Sequence, residues 1–449
     1  MTSVREIINV ISNFKCKIDR IELTFSGILQ EKEEKIVLNA IFPIEEYKKM
    51  ELNCELVIIG KIYDNETTLM GCRIQTASYT IENNSMSLFI IPKEIIVGKC
   101  FCSMPVVTRI TISTSGLNYM FGSLSLLKPN FVFTKENSSV LNYSFPEPIN
   151  ADDKYGAIKL YQKFDTQLSV NVYTYSITSV IEYSFTKPLV LEDAVMKISV
   201  ARSLFSFFGN GYIPFGDITF EDDVEKTKYV LYLNYKENIP VVDEPFLITT
   251  SMFSGQFQNV WELWLNLYES ANPIPRLFYE IICNRSTGIN SYLNLSQAIE
   301  VYSNTYRNIE ANAIAKSDKN NKSKGKNTKL KHRYQDILYT YNSVLKLDEA
   351  DIENYAHGFS NIRNYYTHYN HGTYVEPSYD ELLSAIHILR FILLTIVYTS
   401  VGISVDNILE CRKIAFFREL DIDASKILKY SKKKRCSFNG NNIEETAKR

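Results

Sequence analysis

The spacing of apolar residues changes near residue 250, and that change confines the chain to a β-rich part followed by an all-helical one. Before it, Leu56–Gly60, Ser87–Ile91, Arg109–Ser113, Leu168–Val172 and Tyr229–Leu233 are β-branched or alternating runs bounded by turn residues, which predicts strands. Val190–Phe208 interrupts them with a helical period and ends at Gly209, a predicted C-cap. After Ser254 the pattern is helical throughout. Trp261, Trp264, Leu265 and Tyr268 form one apolar face, Asn272-Pro273 stops that helix, and Ser378-x-x-Glu381 behind Pro377 is a capping box opening a long one. The expectation is an α+β multidomain protein: residues 1–250 a β-rich N-terminal domain, 251–430 an all-α helical bundle, and 431–449 a basic flexible tail. At 449 residues the chain can hold two or three such domains.

The stretch from Leu382 to about Tyr398 is apolar enough to raise a membrane span. Arg390 and His387 interrupt it, and the uncharged runs on either side fall short of the ~20 residues a bilayer needs, so a core helix is expected. No charged-then-apolar leader opens the sequence. The eight cysteines include no Cys-x-x-Cys pair and read as reduced thiols of a cytoplasmic protein, with Cys100-x-Cys102 too weak to argue for a metal. A net charge of −2 gives no global pull toward nucleic acid.

Chemistry concentrates near the C-terminal end. All five histidines lie at 332, 357, 368, 371 and 387, so the side chains that titrate near neutrality share one region. At about 100° per residue, residues 352–371 divide into two helical stripes. Ile352, Tyr355, Phe359, Ile362, Tyr366 and Tyr369 make an apolar one, whereas His357, Asn361, Asn364, His368 and His371 follow one another by four, three, four and three. Thr367 borders the polar stripe, and Arg363 lies further round. A plain solvent face would normally be Lys, Glu, Arg and Gln, which form helices better than Asn and His. Arg363 and His368 are roughly 140° apart on an ideal helix, so either the helix is irregular or a second copy supplies the missing partner.

Arg363-Asn364-Tyr365-Tyr366-Thr367-His368 resembles the Arg-polar-x-x-x-His signature of HEPN ribonucleases. Tyr292-Leu-Asn-Leu-Ser-Gln-Ala-Ile-Glu-Val-Tyr302, which contains Glu300, is similar to the helix preceding that signature in ApeA-type anti-phage HEPN proteins. The resemblance runs through most of the chain, because that family also carries a β-rich N-terminal domain. It implies an endoribonuclease without metal or other cofactor that leaves a 2′,3′-cyclic phosphate. Histidine suits proton transfer near pH 7, and the fork-shaped, permanently charged guanidinium suits a phosphate in its pentavalent state. His368 is therefore the expected general acid or base, Arg363 the phosphate clamp and Asn364 an orienting group, with Glu300, His371 and Thr367 auxiliary. A helix with Arg on one side and His on the other becomes self-complementary across a twofold axis, so a homodimer or higher homo-oligomer is expected.

From Lys316 to Arg333 the chain carries eight fixed positive charges, with Asp318 its one acidic residue. Such a stretch is expected to be a loop between helices, with Lys324, Lys326, Lys329, Lys331 and Arg333 as RNA contacts or as a solvated linker. The N-terminal half offers no catalytic constellation, and the family implies a role in sensing a phage-derived trigger. The expected partner is RNA, with tRNA among the candidates, and not a membrane. Two other readings stay open: a non-catalytic helical binding module that uses the His/Asn stripe for docking, and a nucleotide-transferring HEPN toxin, for which no phosphate-binding partner is visible.

Overall fold

Strands form where the alternating runs stand, and their pairing turns local pattern into architecture. The structure, a computed structural model, describes residues 4–18, 21–33, 35–48, 56–80, 84–121, 130–133, 139–142, 146–169, 172–234, 246–270, 288–318, 328–368, 374–414 and 417–432, with positions 275, 277 and 279. It divides into two units, Met1–Pro245 and Phe246–Arg449, each described by itself.

The first unit is antiparallel. Strands β1 (Ile11–Ile18), β2 (Ile21–Lys32), β3 (Lys35–Pro43), β4 (Leu56–Ile62), β5 (Asn65–Thr80) and β6 (Ser85–Ile91) run in the order β5-β4-β1-β2-β3-β6. β6 then pairs back onto β5, so these six strands close into a barrel. Closure removes the exposed edges that an open sheet leaves. Alternation supplies the interior: Phe14 and Cys16, Leu23, Phe25 and Leu29, Leu38, Ala40 and Phe42, and Leu88 and Ile90 all point inward. Phe25 stacks on Phe42 with ring centroids 4.1 Å apart, and burying each such ring stabilises the fold by about 2–3 kcal/mol. Gly60 makes room for Phe14, since a Cβ there would stand 2.5 Å from the Phe14 ring.

β5 is long enough to carry the same sheet onward past the barrel. Beyond it come β7 (Glu94–Val97), β8 (Val106–Thr114), β11 (Ile149–Asp153), β12 (Gly156–Ser169), β13 (Val172–Val190), β14 (Asp217–Asp222) and β15 (Lys228–Leu233), in the order β5-β7-β15-β14-β8-β13-β12-β11. A separate ribbon pairs β9 (Asn130–Phe133) with β10 (Ser139–Asn142). Helix α1 (Leu191–Phe208) lies against β8 and β13.

One local expectation fails here. Leu168–Val172 is not one strand: Ser169 pairs with Val172 across a hairpin between β12 and β13, because the alternation runs on through the connection. At the end of α1, Gly209 is the C-cap as expected; it keeps right-handed angles (φ −83°), and Asn210, one residue later, takes the left-handed conformation (φ 49°). Asparagine tolerates that region better than most residues.

The second unit is helical: α2 (Phe257–Ser270), α3 (Ile289–Tyr306), α4 (Asn308–Ser317), α5 (Leu330–Thr340), α6 (Ile352–His368), α7 (Tyr379–Ser400), α8 (Val405–Cys411) and α9 (Leu420–Ser431) are its longer helices. On α2 the buried face centres on Phe257, Val260, Trp261, Trp264 and Leu267, while Leu265 and Tyr268 are half-buried. The expected stop at Asn272-Pro273 lies outside the described residues. The capping box holds: Ser378 N–H donates to Glu381 at 2.9 Å, and Glu381 N–H donates to Ser378 Oγ at 3.3 Å. Helix α7 is long and apolar enough to cross a membrane, but 83% of its most apolar window is buried among its neighbours, as a core helix would be.

Helix α6 packs against α3, α5 and α9. Gly358 permits the last contact, because a Cβ there would stand 3.0 Å from Ile427 Cγ2 and 3.2 Å from the Ile427 carbonyl oxygen. The helix that carries the signature is thereby fixed on three sides.

Candidate active site on helix α6

Burial on α6 follows the helical period until its last turn. Ile352, Tyr355, Phe359 and Ile362 are buried as the spacing predicts, but Tyr365 (4% exposed) rather than Tyr366 continues the stripe. Tyr366 is half-buried and meets the Tyr365 ring edge-on at 5.1 Å. Tyr369 and His371 lie outside the described residues, and His368 is described only as the last residue of the helix.

The polar stripe makes a series of short-range bonds. His357 Nδ1 and Asn361 Nδ2 are 2.8 Å apart, and Asn364 Nδ2 donates to the Tyr374 hydroxyl at 3.4 Å. Thr367 Oγ1 donates to the Arg363 carbonyl at 2.8 Å, so that hydroxyl is used on its own helix. His357 keeps an exposed edge, yet desolvation by its neighbours, and then the Lys331 charge, hold it below the ordinary histidine value. Lys331, at the foot of the basic segment, therefore stands near this stripe.

Arg363 points away from that face. Its Nη2 is 3.7 Å from Glu300 Oε2 on α3, with the two side chains 29% and 35% exposed. At that exposure and distance the pair contributes about 0–1 kcal/mol. Behind it lie two fully buried tyrosines. Tyr292 donates to the Phe359 carbonyl at 2.6 Å, and Tyr334 donates to Ser296 Oγ at 2.7 Å. Burial raises both phenols far above their usual value, and the Arg363 charge reaches each of them. The guanidinium thus has a floor of two buried, neutral phenols within electrostatic reach.

Two histidines belong to structural contacts elsewhere. His332 is fully buried, accepts Lys329 N–H at Nδ1 (3.0 Å) and meets Asp318 with Nε2 (3.0 Å). An Nδ1 that accepts must be unprotonated, which leaves Nε2 as the donor. His387 bonds Asp423 at 3.2 Å, where Ser384 Oγ also donates at 2.7 Å. Neither ring reaches the α6 stripe through any of these bonds.

The basic segment is divided as well. Lys324 and Lys326 lie outside the described residues, while Lys329 precedes α5 and lends its backbone N–H to His332. Lys331 pairs with Asp318 at 2.6 Å. Arg333 lies on α5 and turns toward α3, where its Nη1 donates to Ser303 Oγ at 3.5 Å. Sequence reading attached Arg333 to the loop. The helical period of 330–340 was the signal that could have separated it.

Among the described residues, no three His, Cys, Asp or Glu side chains gather into a ligand set. What α6 can offer is a guanidinium with a loosely held counter-ion, amide groups on a separate face and an imidazole-bearing residue at the helix end. That combination suits anion binding and proton transfer.

Comparison with known families matches the Apea-like HEPN domain to residues 293–407 and ApeA N-terminal domain 1 to residues 16–264, more than half of the chain. Comparison with curated proteins and with solved structures gives no match. The first match spans α6 together with Glu300 and Arg333, and the second runs from the end of β1 through the rest of the barrel and the sheet beyond it. With its large antiparallel sheet and its helical HEPN domain, the chain belongs to the ApeA-type HEPN anti-phage proteins.

Proposed function

We propose that this protein is a cytoplasmic, metal-independent endoribonuclease of an anti-phage defence system. It cuts RNA with Arg363 and His368 in a cleft shared by two copies of the chain. The observation that carries this reading is the placement of Arg363 within the Apea-like HEPN match: partly exposed on a helix otherwise fixed in the core, with a single long ion pair to give up.

In this reading His368 takes the proton from a ribose 2′-hydroxyl, and the oxygen attacks the adjacent phosphorus. The P–O2′ bond forms as the P–O5′ bond breaks, and the departing 5′-oxygen receives a proton from an imidazolium. Arg363 holds the charge that builds on the non-bridging oxygens, where a fixed fork of donors acts without reorganising. Asn364, one turn before His368, orients substrate or imidazole. The products are a 2′,3′-cyclic phosphate and a 5′-hydroxyl. The offset between Arg363 and His368 around α6 favours assembly across a twofold axis. The basic segment adds electrostatic attraction for RNA, and the N-terminal unit restrains the nuclease until a phage-derived trigger binds.

The test uses the intact chain, labelled RNA and a chelator. RNA is cut with chelator present, while Arg363→Ala and His368→Ala each abolish cutting and keep the helical circular-dichroism signal. Loss of cutting on chelation, or normal cutting by either variant, overturns the reading. Binding without cutting by the parent protein makes it a docking module instead.

A further inference from the structure

Three helices bring charge to one point beside Arg363. Glu300 and Ser303 stand one turn apart on α3 and share a face. Arg363 reaches Glu300 from α6 at 3.7 Å, and Arg333 reaches Ser303 from α5 at 3.5 Å. Arg333 feels the Glu300 carboxylate, as does Tyr334 on the floor beneath. One carboxylate therefore meets the Arg363 guanidinium directly and lies within electrostatic reach of the Arg333 guanidinium, which is held one helical turn away at Ser303.

Neither arginine is gripped tightly. Charge-assisted bonds between guanidinium and carboxylate close to about 2.7–2.9 Å when they are the preferred state. The same unit contains one: Arg307 holds Asp336 through Nε at 2.7 Å and Nη2 at 2.9 Å. Against that standard the Arg363–Glu300 contact is open by almost an ångström, single-pronged and partly solvated. A carboxylate so placed keeps two like charges from repelling each other without satisfying either. A tetrahedral phosphodiester, with two non-bridging oxygens, would serve both forks at once.

We propose that Arg333 is a second phosphate-binding arginine of this site, and that Glu300 occupies the phosphate position until RNA displaces it. The proposal rests on the ribonuclease reading for the identity of the ligand, a phosphodiester of single-stranded RNA. Arg363 and Arg333 then hold one phosphate between α6 and α5, and Glu300 swings toward solvent, where its 35% exposure gives it room. Glu300 sets the threshold: only a polyanion with further contacts, such as those of the basic segment, displaces it readily. Single phosphates and short fragments compete poorly.

The experiment measures binding without chemistry. A fluorescent 2′-O-methyl oligoribonucleotide, which lacks the attacking hydroxyl, is titrated into the intact protein by anisotropy at several salt concentrations. Glu300→Gln keeps the shape and removes the charge, and is expected to tighten binding about 2- to 5-fold. Arg333→Ala is expected to weaken it about tenfold and to lower the slope of log affinity against log salt by about one. Arg333→Lys should restore the slope while recovering only part of the affinity. Unchanged or weaker binding by Glu300→Gln, or an unchanged salt slope in Arg333→Ala, overturns the proposal, and so does failure of the parent protein to bind the probe. Cleavage of ordinary RNA is read in parallel. Variants that shift binding as expected in a protein that cuts nothing support the phosphate site and sink the nuclease. Cutting by a protein whose binding ignores both substitutions does the reverse.

Discussion

Replacing Asp336 by asparagine tests how the basic segment is presented. Arg307, just before α4, grips Asp336 on α5 with both prongs of its guanidinium, and Asp336 is 4% exposed while the Arg307 side chain is 23% exposed. At the other end of the α4–α5 hairpin, Asp318 meets both His332 and Lys331. Helices α4 and α5 are therefore pinned to each other at both ends. The substituted amide keeps one acceptor but loses the charge and the second prong. Breaking a fully buried pair costs about 3–5 kcal/mol, whereas Arg307 retains access to water and the amide retains one bond, so the loss here is about 2 kcal/mol. In a unit of roughly 200 residues that lowers the midpoint by about 4–8 °C. The assay is thermal denaturation of the intact protein followed by far-ultraviolet circular dichroism. Glu410→Gln serves as control, since its pair with Lys413 is 2.6 Å long but largely exposed and should leave the midpoint unchanged. Equal midpoints for Asp336→Asn and the parent would refute the claim that this fork anchors the hairpin.

Two further outcomes follow from the same helices. Gly358→Val drives two methyl groups toward Ile427, whose carbonyl cannot yield, and should cost about 2–3 kcal/mol despite valine's better helix propensity; a neutral or stabilising effect in chemical denaturation would mean that α6 and α9 are not this close. Burial, followed by Lys331 and Lys329, holds His332 below its ordinary value against the pull of Asp318, and His357 is shifted the same way. The unfolded chain therefore binds more protons just below about pH 6.5, and stability is fully present above that value and falls as pH drops toward the folded values. Asp423 does not share this window: burial opposes its charge, but bonds from His387 and Ser384 outweigh it, so its contribution persists until the carboxylate range. Denaturation midpoints at about pH 7.5 and about pH 5.5 should differ in that direction, and less so in His332→Gln; a midpoint that rises on acidification contradicts the assignment.

How much of this was legible in the residues depends on the range of the interaction. β4, β6, β8 and β15 lie where alternation or β-branching places them, and the Ser378–Glu381 box lies where its spacing says, because each is decided within a few neighbours. β5 and β6 are neighbours in sequence and pair from Thr80↔Ser85, but the pairings of β1 with β4 (Phe14↔Gly60) and β3 with β6 (Pro43↔Ser85) join distant segments, and no period announces the closure they make. Leu168–Val172 misled because its apolar–polar alternation runs without a break, although Asn171 is a residue that turns favour. Tyr365 displaced Tyr366 because a step of three from Ile362 continues the buried stripe as well as a step of four, and burial rather than the wheel decides between them. Five histidines in one region suggested shared chemistry, yet His332 and His387 meet aspartates in helix packing, a distinction made by burial rather than sequence distance. Arg333 looked like loop charge until α5 turned it toward Ser303 on α3.

The central claim is a chemical one, and the end group on the RNA decides it most directly. Intact protein is incubated with a defined oligoribonucleotide in the presence of chelator, and the fragments are weighed by mass spectrometry. The account predicts upstream fragments ending in 2′,3′-cyclic phosphate, each lighter by one water than the linear phosphate, with downstream fragments beginning in 5′-hydroxyl, and none of either from Arg363→Ala or His368→Ala. Fragments carrying 5′-phosphate and 3′-hydroxyl would contradict it, because water rather than the ribose would then have attacked.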